Sequence, residues 1–173
     1  MNPPVHLRPY AAEDLQLLER LLGDAGEMAH LGGPESPEAI RSRHRRYLAS
    51  DGSTDGLFTI ILEPEATAVG WVGYWEIDWR GGKVWECGWH LVPEHQGAGV
   101  ATAGMVLLLE VSRARGSHRF MHAFPSADNT RSNALCRRLG FELLGEEQVE
   151  YPKGHMMRSN DWRLDLLAPL RRA

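Results

Sequence analysis

The spacing of apolar and polar residues along this chain predicts four helices and seven strands. Helical spacing runs through residues 11–22, 37–48, 100–111 and 130–139, and alternation or short apolar runs bounded by turns indicate strands. The predicted strands are residues 5–8, 57–62, 68–77, 83–92, 118–124, 141–150 and 156–166. The predicted order of elements is therefore βααβββαβαββ.

Local signals add a boundary or an inward face to each of these four helices. Ser36 is a predicted N-cap with Pro37 at the first helical position, and Asp128 or Asn129 is expected to cap the last helix, which Gly140 ends in a left-handed conformation. The inward stripes are predicted to be Leu15, Leu18 and Leu22 in the first helix, Ile40, His44, Tyr47 and Leu48 in the second, and Val100, Gly104, Leu107, Leu108 and Val111 in the third. The arginines of the second helix form a basic outer face, predicted to be a solvated surface, with attraction of an acidic substrate or of phosphates as the alternative. They are Arg41, Arg43, Arg45 and Arg46.

The order of elements predicts a mixed α/β fold. Helices between the fourth, fifth and sixth strands imply parallel crossovers, whereas strands joined by short turns are antiparallel. We therefore expect a mixed twisted sheet of about seven strands with helices on both faces. The length of 173 residues suits one domain, residues 1–173.

The amino-acid composition limits the cellular compartments and the classes of binding partner that are expected for this protein. The net charge of −4 and the absence of a basic block argue against a nucleic-acid partner. The only cysteines, Cys87 and Cys136, lie far apart, which suits a reducing compartment, and their surroundings show no spacing typical of a metal site. No signal peptide or membrane-spanning segment is visible. We expect a cytoplasmic protein that binds neither a membrane nor a metal.

The most informative stretch is residues 89–102, where a strand leads through a glycine-rich turn into an apolar helix. Gly97 and Gly99 let the backbone approach a ligand, and the first turn of a helix offers unpaired N–H groups and a positive dipole end. The turn lacks the Gly-Lys-Ser/Thr ending of an NTPase phosphate loop and the G-x-G-x-x-G spacing of a dinucleotide fold. A pyrophosphate over residues 97–102 is the functional interpretation, and a tight turn that needs small residues is the structural alternative.

Two motifs resemble the GNAT superfamily of acyl-CoA N-acyltransferases. Gln96, Gly99 and Ala101 match its pattern Q/R-x-x-G-x-G/A, and about 30 residues later Asn129 and Ser132 match N-x-x-S, followed by the Leu-Gly-Phe of residues 139–141. The resemblance covers nearly the whole chain. Trp89 and the Ala-Thr pair after the turn look most similar to the branch that includes ribosomal-protein and small-molecule acetyltransferases.

The resemblance implies that acetyl-CoA is the cosubstrate and that no metal is needed. Its acetyl group would pass by direct attack, in a ternary complex, to a primary amine of a small molecule or a peptide N-terminus. The strand ending at Leu91 and Val92 would bear a bulge, splay from residues 118–124 and supply an amide to the oxyanion. A homodimer through the last strands is also implied. The implied cofactor contacts are Leu91, Val92, Gln96, Gly97, Ala98, Gly99, Val100, Ala101, Thr102, Asn129 and Ser132.

The residues offer several candidates for proton transfer. Glu86 is the first candidate for the base that deprotonates the amine, with a structural carboxylate as the alternative, and His90 points to the same face of a regular strand. Cys136 occupies the position where many relatives carry the acidic tyrosine, but a thiol there serves equally as a core residue, which we favour. Ser132 is an alternative proton donor. His118 and His122 are expected to share a strand face.

The acceptor is left open by the sequence. Five of the six tryptophans lie between residues 71 and 89, where they pack the sheet or line an acceptor pocket bordered by residues 26–36, 79–83 and 160–162. A non-catalytic acyl-CoA-binding or sensor module is the main alternative to an N-acetyltransferase, and a nucleotide-binding regulator is a third.

Overall fold

The computed structural model describes residues 3–168, which form one seven-stranded sheet with four helices. The strands are β1 Val5–Pro9, β2 Asp55–Leu62, β3 Thr67–Trp79, β4 Gly82–Leu91, β5 Phe120–Ala123, β6 Glu142–Glu150 and β7 Met156–Asp165. The helices are α1 Leu15–Leu22, α2 Pro37–Leu48, α3 Val100–Arg115 and α4 Thr130–Arg138, and short 3₁₀ turns occupy Ala12–Asp14 and Pro93–His95. The predicted order of elements is confirmed.

The strands lie in the order β1-β2-β3-β4-β5-β7-β6. Only β4 and β5 pair in parallel, and all other neighbours are antiparallel. The β5-α4-β6 crossover does yield parallel strands, as predicted, but β7 lies between them. The last two strands therefore form a hairpin in which β7 pairs with β5 and β6 lies at the edge of the sheet.

The sheet has helices on both faces. On one, which we call the α2 face, Trp71 of β3 packs against Tyr47 of α2, with 6.2 Å between ring centroids. On the other, the α3 face, a methyl group added to Gly104 of α3 would lie 2.8 Å from Ile60 and 3.7 Å from Val72, so that the helix backbone rests directly on the sheet. Large side chains such as Leu18, Met105 and Met121 fill the two layers.

The helix caps predicted from the sequence for α2 and α4 are present in the structure. The Ser36 hydroxyl accepts from the amide of Ala39 at 3.2 Å, and Asn129, one of the two predicted residues, caps α4 by accepting from the amide of Ser132 at 3.0 Å. Gly140 has φ of +85° and ends α4, where the amide of Phe141 donates to the carbonyl of Cys136.

Several predicted helical faces were wrong. Leu48, the last residue of α2, and Val111 in the last turns of α3 are exposed. In α1 the predicted stripe is buried at Leu18 and Leu22 and half-buried at Leu15, but Leu17 and Leu21 are buried as well, so the buried face is wider than predicted. Arg43 turns inward to pair with Glu35 instead of joining the solvated face of α2.

Candidate active site

The parallel strands β4 and β5 separate in the middle of the sheet. They pair only at Trp85–Met121 and Glu86–His122, after which β4 continues to Leu91 without a partner on that side. The predicted splay is therefore present. The predicted bulge is wrong, because the ladder of β3 and β4 runs from Gly70–Leu91 to Trp79–Gly82 without a change of register.

The alternation of this ladder decides which backbone groups face the gap. The amide of Val92 donates to the carbonyl of Val69 at 2.9 Å, so it is engaged with β3. Hydrogen-bonding direction alternates along an antiparallel strand, so the backbone groups of Leu91 and Trp89 point the other way, towards the space beyond β5. Of the two predicted oxyanion donors, Leu91 is placed for the role and Val92 is not.

The turn after β4 presents a row of unpaired amides. Gly97 and Gly99 have φ of +76° and +83°, and Gly99 is the N-cap of α3. Within residues 3–168, no acceptor is found for the backbone N–H groups of residues 97–102. Val100 anchors the helix in the core, and a methyl group added to Gly97 would meet no atom within 4 Å. The turn is thus an open concavity of N–H groups at the positive end of a 16-residue helix, which suits an anion.

Two arginines of α4 lie beside this turn, and sequence reasoning missed both. Arg131 donates to the Gln96 side-chain oxygen at 2.6 Å, and Arg138 lies 3.3 Å from the Thr102 hydroxyl. The signal was their spacing of seven residues, two turns of a helix, which places both on one face. The Gln96 amide nitrogen in turn donates to the Leu91 carbonyl at 3.1 Å and to Glu27.

Asn129 and Ser132, both half-buried, lie at the start of α4. The Asn129 side chain is used to cap the helix, and among the described residues the Ser132 hydroxyl has no hydrogen-bond partner. The neighbouring Asn133, which was not predicted, is buried and joins α4 to β7. It accepts from Asn160 at 2.7 Å and from Trp162 at 2.8 Å, and this fixes the helix beside the gap.

Glu86 lies on the α2 face at the last pair before the strands separate. One carboxylate oxygen accepts from the indole N–H of Trp75 at 2.9 Å. Burial raises the pKa of Glu86 to about 7, although the Trp75 hydrogen bond acts to lower it. The tip of the Trp75 ring lies over Gly88, where an added methyl group would be 2.9 Å away. Glu86 is thus poised to accept a proton near neutral pH.

His90 lies on the same face as Glu86, as predicted. The two residues are four positions apart in an unbroken strand, where they pair with Trp71 and Trp75 of β3. The Trp71 and His90 rings lie 5.1 Å apart. Burial, together with the charge of Arg43, lowers the pKa of His90 to about 4, so the ring is neutral at pH 7 and holds an accepted proton weakly. The geometry favours Glu86 over His90 as the base.

Cys136 is completely buried in the core. Burial raises the pKa of its thiol well above the ordinary value, which suits a packed core residue better than a proton donor to a thiolate. This favours the alternative preferred from the sequence.

A buried pair of polar residues adjoins Glu86 and was not predicted. His122 Nδ1 lies 2.6 Å from Asp161 Oδ1, and Trp79 donates to Asp161 Oδ2 at 3.1 Å. His118 was wrongly expected on the same face. It precedes β5 and lies on the α3 face, where its Nε2 is 2.9 Å from Glu76.

A polar cleft of about 290 Å³ opens beyond the end of β5. It lies between the α1–α2 loop, the segment after β5 and the start of β7, and its polar lining includes His30, Asp128, His155 and Arg158. The sequence predicts that the α1–α2 loop borders an acceptor pocket, and this loop lines the cleft.

No helix described between residues 3 and 168 combines the length and apolar character that crossing a bilayer requires. No curated protein matches the sequence. A family model described as the acetyltransferase (GNAT) domain matches residues 5–142.

Solved acetyltransferase structures share the fold. Spermidine N-acetyltransferase from Vibrio cholerae, in complex with CoA and spermine, is 18% identical with a TM-score of 0.77, covering 95% of this chain and 98% of that one. An acetyltransferase from Salmonella typhimurium that modifies the N-terminal serine of ribosomal protein L7/L12 is 22% identical with a TM-score of 0.77, covering 93% and 94%. A GNAT-family acetyltransferase from Bacillus anthracis is 18% identical with a TM-score of 0.77, covering 97% and 98%.

Proposed function

Because this chain belongs to the GNAT family of acetyltransferases, we propose that it transfers the acetyl group of acetyl-CoA directly to a primary amine, with Glu86 as the base. Membership of the family confirms the predicted fold, the class of enzyme and the cosubstrate. The observation that carries the proposed mechanism is the position of Glu86, a carboxyl group with a pKa of about 7 where β4 and β5 separate.

The unpaired amides of residues 97–102 bind the pyrophosphate of the cosubstrate, with Arg131 and Arg138 adding positive charge from one side. The pantetheine arm then runs along β4, where the free backbone groups of Trp89 pair with its amides as an added strand would. The Leu91 carbonyl is engaged by the Gln96 side chain at 3.1 Å, and the Leu91 amide is left for the oxygen of the thioester. This course brings the thioester into the gap next to Glu86. Asn129 and Ser132 border the arm from α4.

The reaction moves two protons from the nitrogen. An alkylammonium must lose one before it can attack, and Glu86 accepts it. The nitrogen then bonds to the thioester carbon, and the Leu91 amide stabilises the oxyanion. When the carbon–sulfur bond breaks, the nitrogen loses its second proton and the CoA thiolate gains one. The balance is one acetamide, one CoA thiol and one proton released. The half-buried hydroxyl of Ser132 is the proton donor that α4 offers to the thiolate, since Cys136 is buried.

The acceptor is a primary amine that enters through the cleft beside the α1–α2 loop. Two of the related structures concern amines of this kind, a polyamine in one and a peptide N-terminus in the other. In this chain the α2 face next to the gap carries Trp71, Trp75 and Glu86, and aromatic rings with a carboxylate suit an ammonium group.

The proposal is tested by calorimetric titration with CoA and by thiol release from acetyl-CoA with a panel of polyamines, aminoglycosides, amino acids and short peptides. We expect micromolar CoA binding and turnover with at least one amine. Glu86→Gln is expected to reduce kcat about 100-fold and to leave CoA affinity unchanged. CoA binding without turnover of any amine would instead identify the non-catalytic acyl-CoA-binding module. Absence of CoA binding would overturn both.

Two expectations stay predictions. A homodimer is tested by sedimentation at several protein concentrations, and a cytoplasmic location is tested by fractionation of the cells that produce the protein.

A further inference from the structure

The pair formed by His122 and Asp161 is one of the most deeply buried polar pairs in the described part of the chain. His122 is 4% exposed and Asp161 is 0% exposed. Asp161 is also contacted by the Trp79 indole N–H and, at 3.4 Å, by Arg80. Burial acts to raise the pKa of Asp161, but the hydrogen bond and charge interaction with His122, the Trp79 hydrogen bond and the charge of Arg80 outweigh it and lower the pKa. Asp161 is therefore a carboxylate.

An ionised carboxylate accepts hydrogen bonds and cannot donate them, so the 2.6 Å contact requires a proton on His122 Nδ1. A neutral imidazole with a proton on Nδ1 carries its lone pair on Nε2. Within residues 3–168, Nε2 of His122 has no hydrogen-bond partner. A carboxylate that fixes a histidine in this way is the arrangement that makes the free nitrogen an effective base.

The ring is also held in place by its neighbours. Phe124 stacks on His122 with 5.8 Å between centroids and 16° between planes, and Trp79 packs against Phe124 at 4.7 Å. These contacts leave the ring little freedom to rotate away from Asp161. They also form an apolar wall that limits access of water.

His122 lies at the gap between β4 and β5, where the proposed reaction takes place. It pairs with Glu86 in the parallel ladder, at the last position before the strands separate. Paired residues of neighbouring strands are about 5 Å apart and project from the same face of the sheet. Glu86 and His122 are therefore adjacent at the mouth of the gap, and the reaction requires two protons to leave one nitrogen.

We propose that His122, oriented by Asp161, is a second base of the active site, which removes the amine's second proton while Glu86 removes the first. This rests on the proposed acetyl transfer. After the nitrogen bonds to the thioester carbon, His122 Nε2 takes the proton from the positively charged nitrogen. The oxyanion re-forms the carbonyl as the carbon–sulfur bond breaks, the thiolate receives one of the two protons and the other passes to water. Asp161 acts through His122 and is a positioning residue.

The charged groups that face His122 come from three elements. Glu86 faces it from β4, Asp161 and Arg163 from β7, and Arg80 reaches Asp161 from the β3–β4 turn. Arg163 is engaged with Glu142 and lies over the Phe120 ring, on the side of His122 away from the gap.

The first experiment needs no turnover. Nitrogen-15 NMR of the histidine-labelled full chain at pH 8 is expected to show His122 protonated on Nδ1 and free on Nε2. In Asp161→Asn the asparagine amide can donate to Nδ1, so the proton is expected on Nε2. A wild-type ring protonated on Nε2 would overturn the inference, whether or not the variant folds.

The second experiment is the pH dependence of kcat with the best amine of the panel. If both bases must be unprotonated, log kcat rises with a slope of 2 on the acidic side for the wild type and a slope of 1 for His122→Gln. We expect kcat of His122→Gln and of Asp161→Asn to fall about 100-fold with little change in KM for acetyl-CoA. His118→Gln, just before the start of β5 and on the opposite face of the sheet, is the control and is expected to keep the wild-type profile.

The outcomes separate the two proposals. A wild type that turns over no amine overturns the proposed function. A wild type that turns over an amine with a slope of 1, or a His122→Gln variant with an unchanged profile, overturns only the role of His122.

Discussion

At the scale of single residues, burial has opposite effects on two side chains of one strand. Glu86 and His90 lie on the same face of β4, and in both cases removal from water disfavours the charged form. The pKa of the acid therefore rises to about 7, whereas that of the histidine falls to about 4. One environment thus produces an effective base from a carboxylate and an ineffective one from an imidazole.

The pH dependence of catalysis follows from the position of Trp75. A base works when unprotonated, so kcat/KM is expected to rise as pH increases through about 7. The Trp75 hydrogen bond lowers the pKa of Glu86, so Trp75→Phe is expected to move this rise to higher pH. The profile is measured with saturating acetyl-CoA. Lys83→Gln, which changes an exposed pair with Glu76 on the other face, should leave it unmoved, and a shift of Trp75→Phe towards lower pH would contradict the assignment.

At the scale of elements, α4 brings together residues that the sequence keeps apart. Its buried Asn133 fixes it to the sheet through Trp162, and its Arg131 and Arg138 then lie against the turn before α3. The sequence predicted both turn and helix, because glycines and caps are local signals. It did not predict which helical face meets the turn, since that depends on packing over β7.

Charge removal from α4 is expected to weaken cosubstrate binding. Arg131→Gln and Arg138→Gln should each raise the Kd for CoA about five- to tenfold, the effect of losing roughly 1 kcal/mol of attraction to phosphate. Higher salt should reduce the difference. Arg137→Gln is the control, because the Arg137 guanidinium lies over the Trp162 ring, 5.6 Å from its centroid. Equal effects of all three substitutions in calorimetry would show that only the net charge matters.

At the scale of the whole molecule, the insertion of β7 between β5 and β6 decides which residues share the site. It places Asp161 beside His122, 39 residues earlier in the chain, and no local pattern links the two. Period and turn signals were sufficient for the seven strands and for the order of elements. The buried pair, the inward Arg43 and the engaged Val92 amide depend on long-range register, which periodicity does not encode.

The buried carboxyl group of Glu86 also makes the free energy of unfolding depend on pH. The folded chain raises the pKa of Glu86 above its ordinary value of 4.5, so it binds more protons than the unfolded chain between about pH 4.5 and 7. Stability therefore falls as pH rises through this window. Glu86→Gln cannot ionise, so its free energy of unfolding relative to the wild type should increase by about 1–3 kcal/mol from pH 4 to pH 8. Urea denaturation at the two pH values measures this, and a constant difference would contradict the burial of a charge.

The separation of β4 from β5 leaves part of a central strand without hydrogen-bonded neighbours on one side. The amides of Trp89 and Leu91 should therefore exchange with deuterated solvent quickly in the empty protein, whereas that of Val92, bonded to Val69, exchanges slowly. Addition of acetyl-CoA should protect the first two and leave the third unchanged. The backbone hydrogen bonds that β4 lacks on this side are formed only when the cosubstrate binds. The cosubstrate is therefore a reactant and also completes the hydrogen bonding of the sheet.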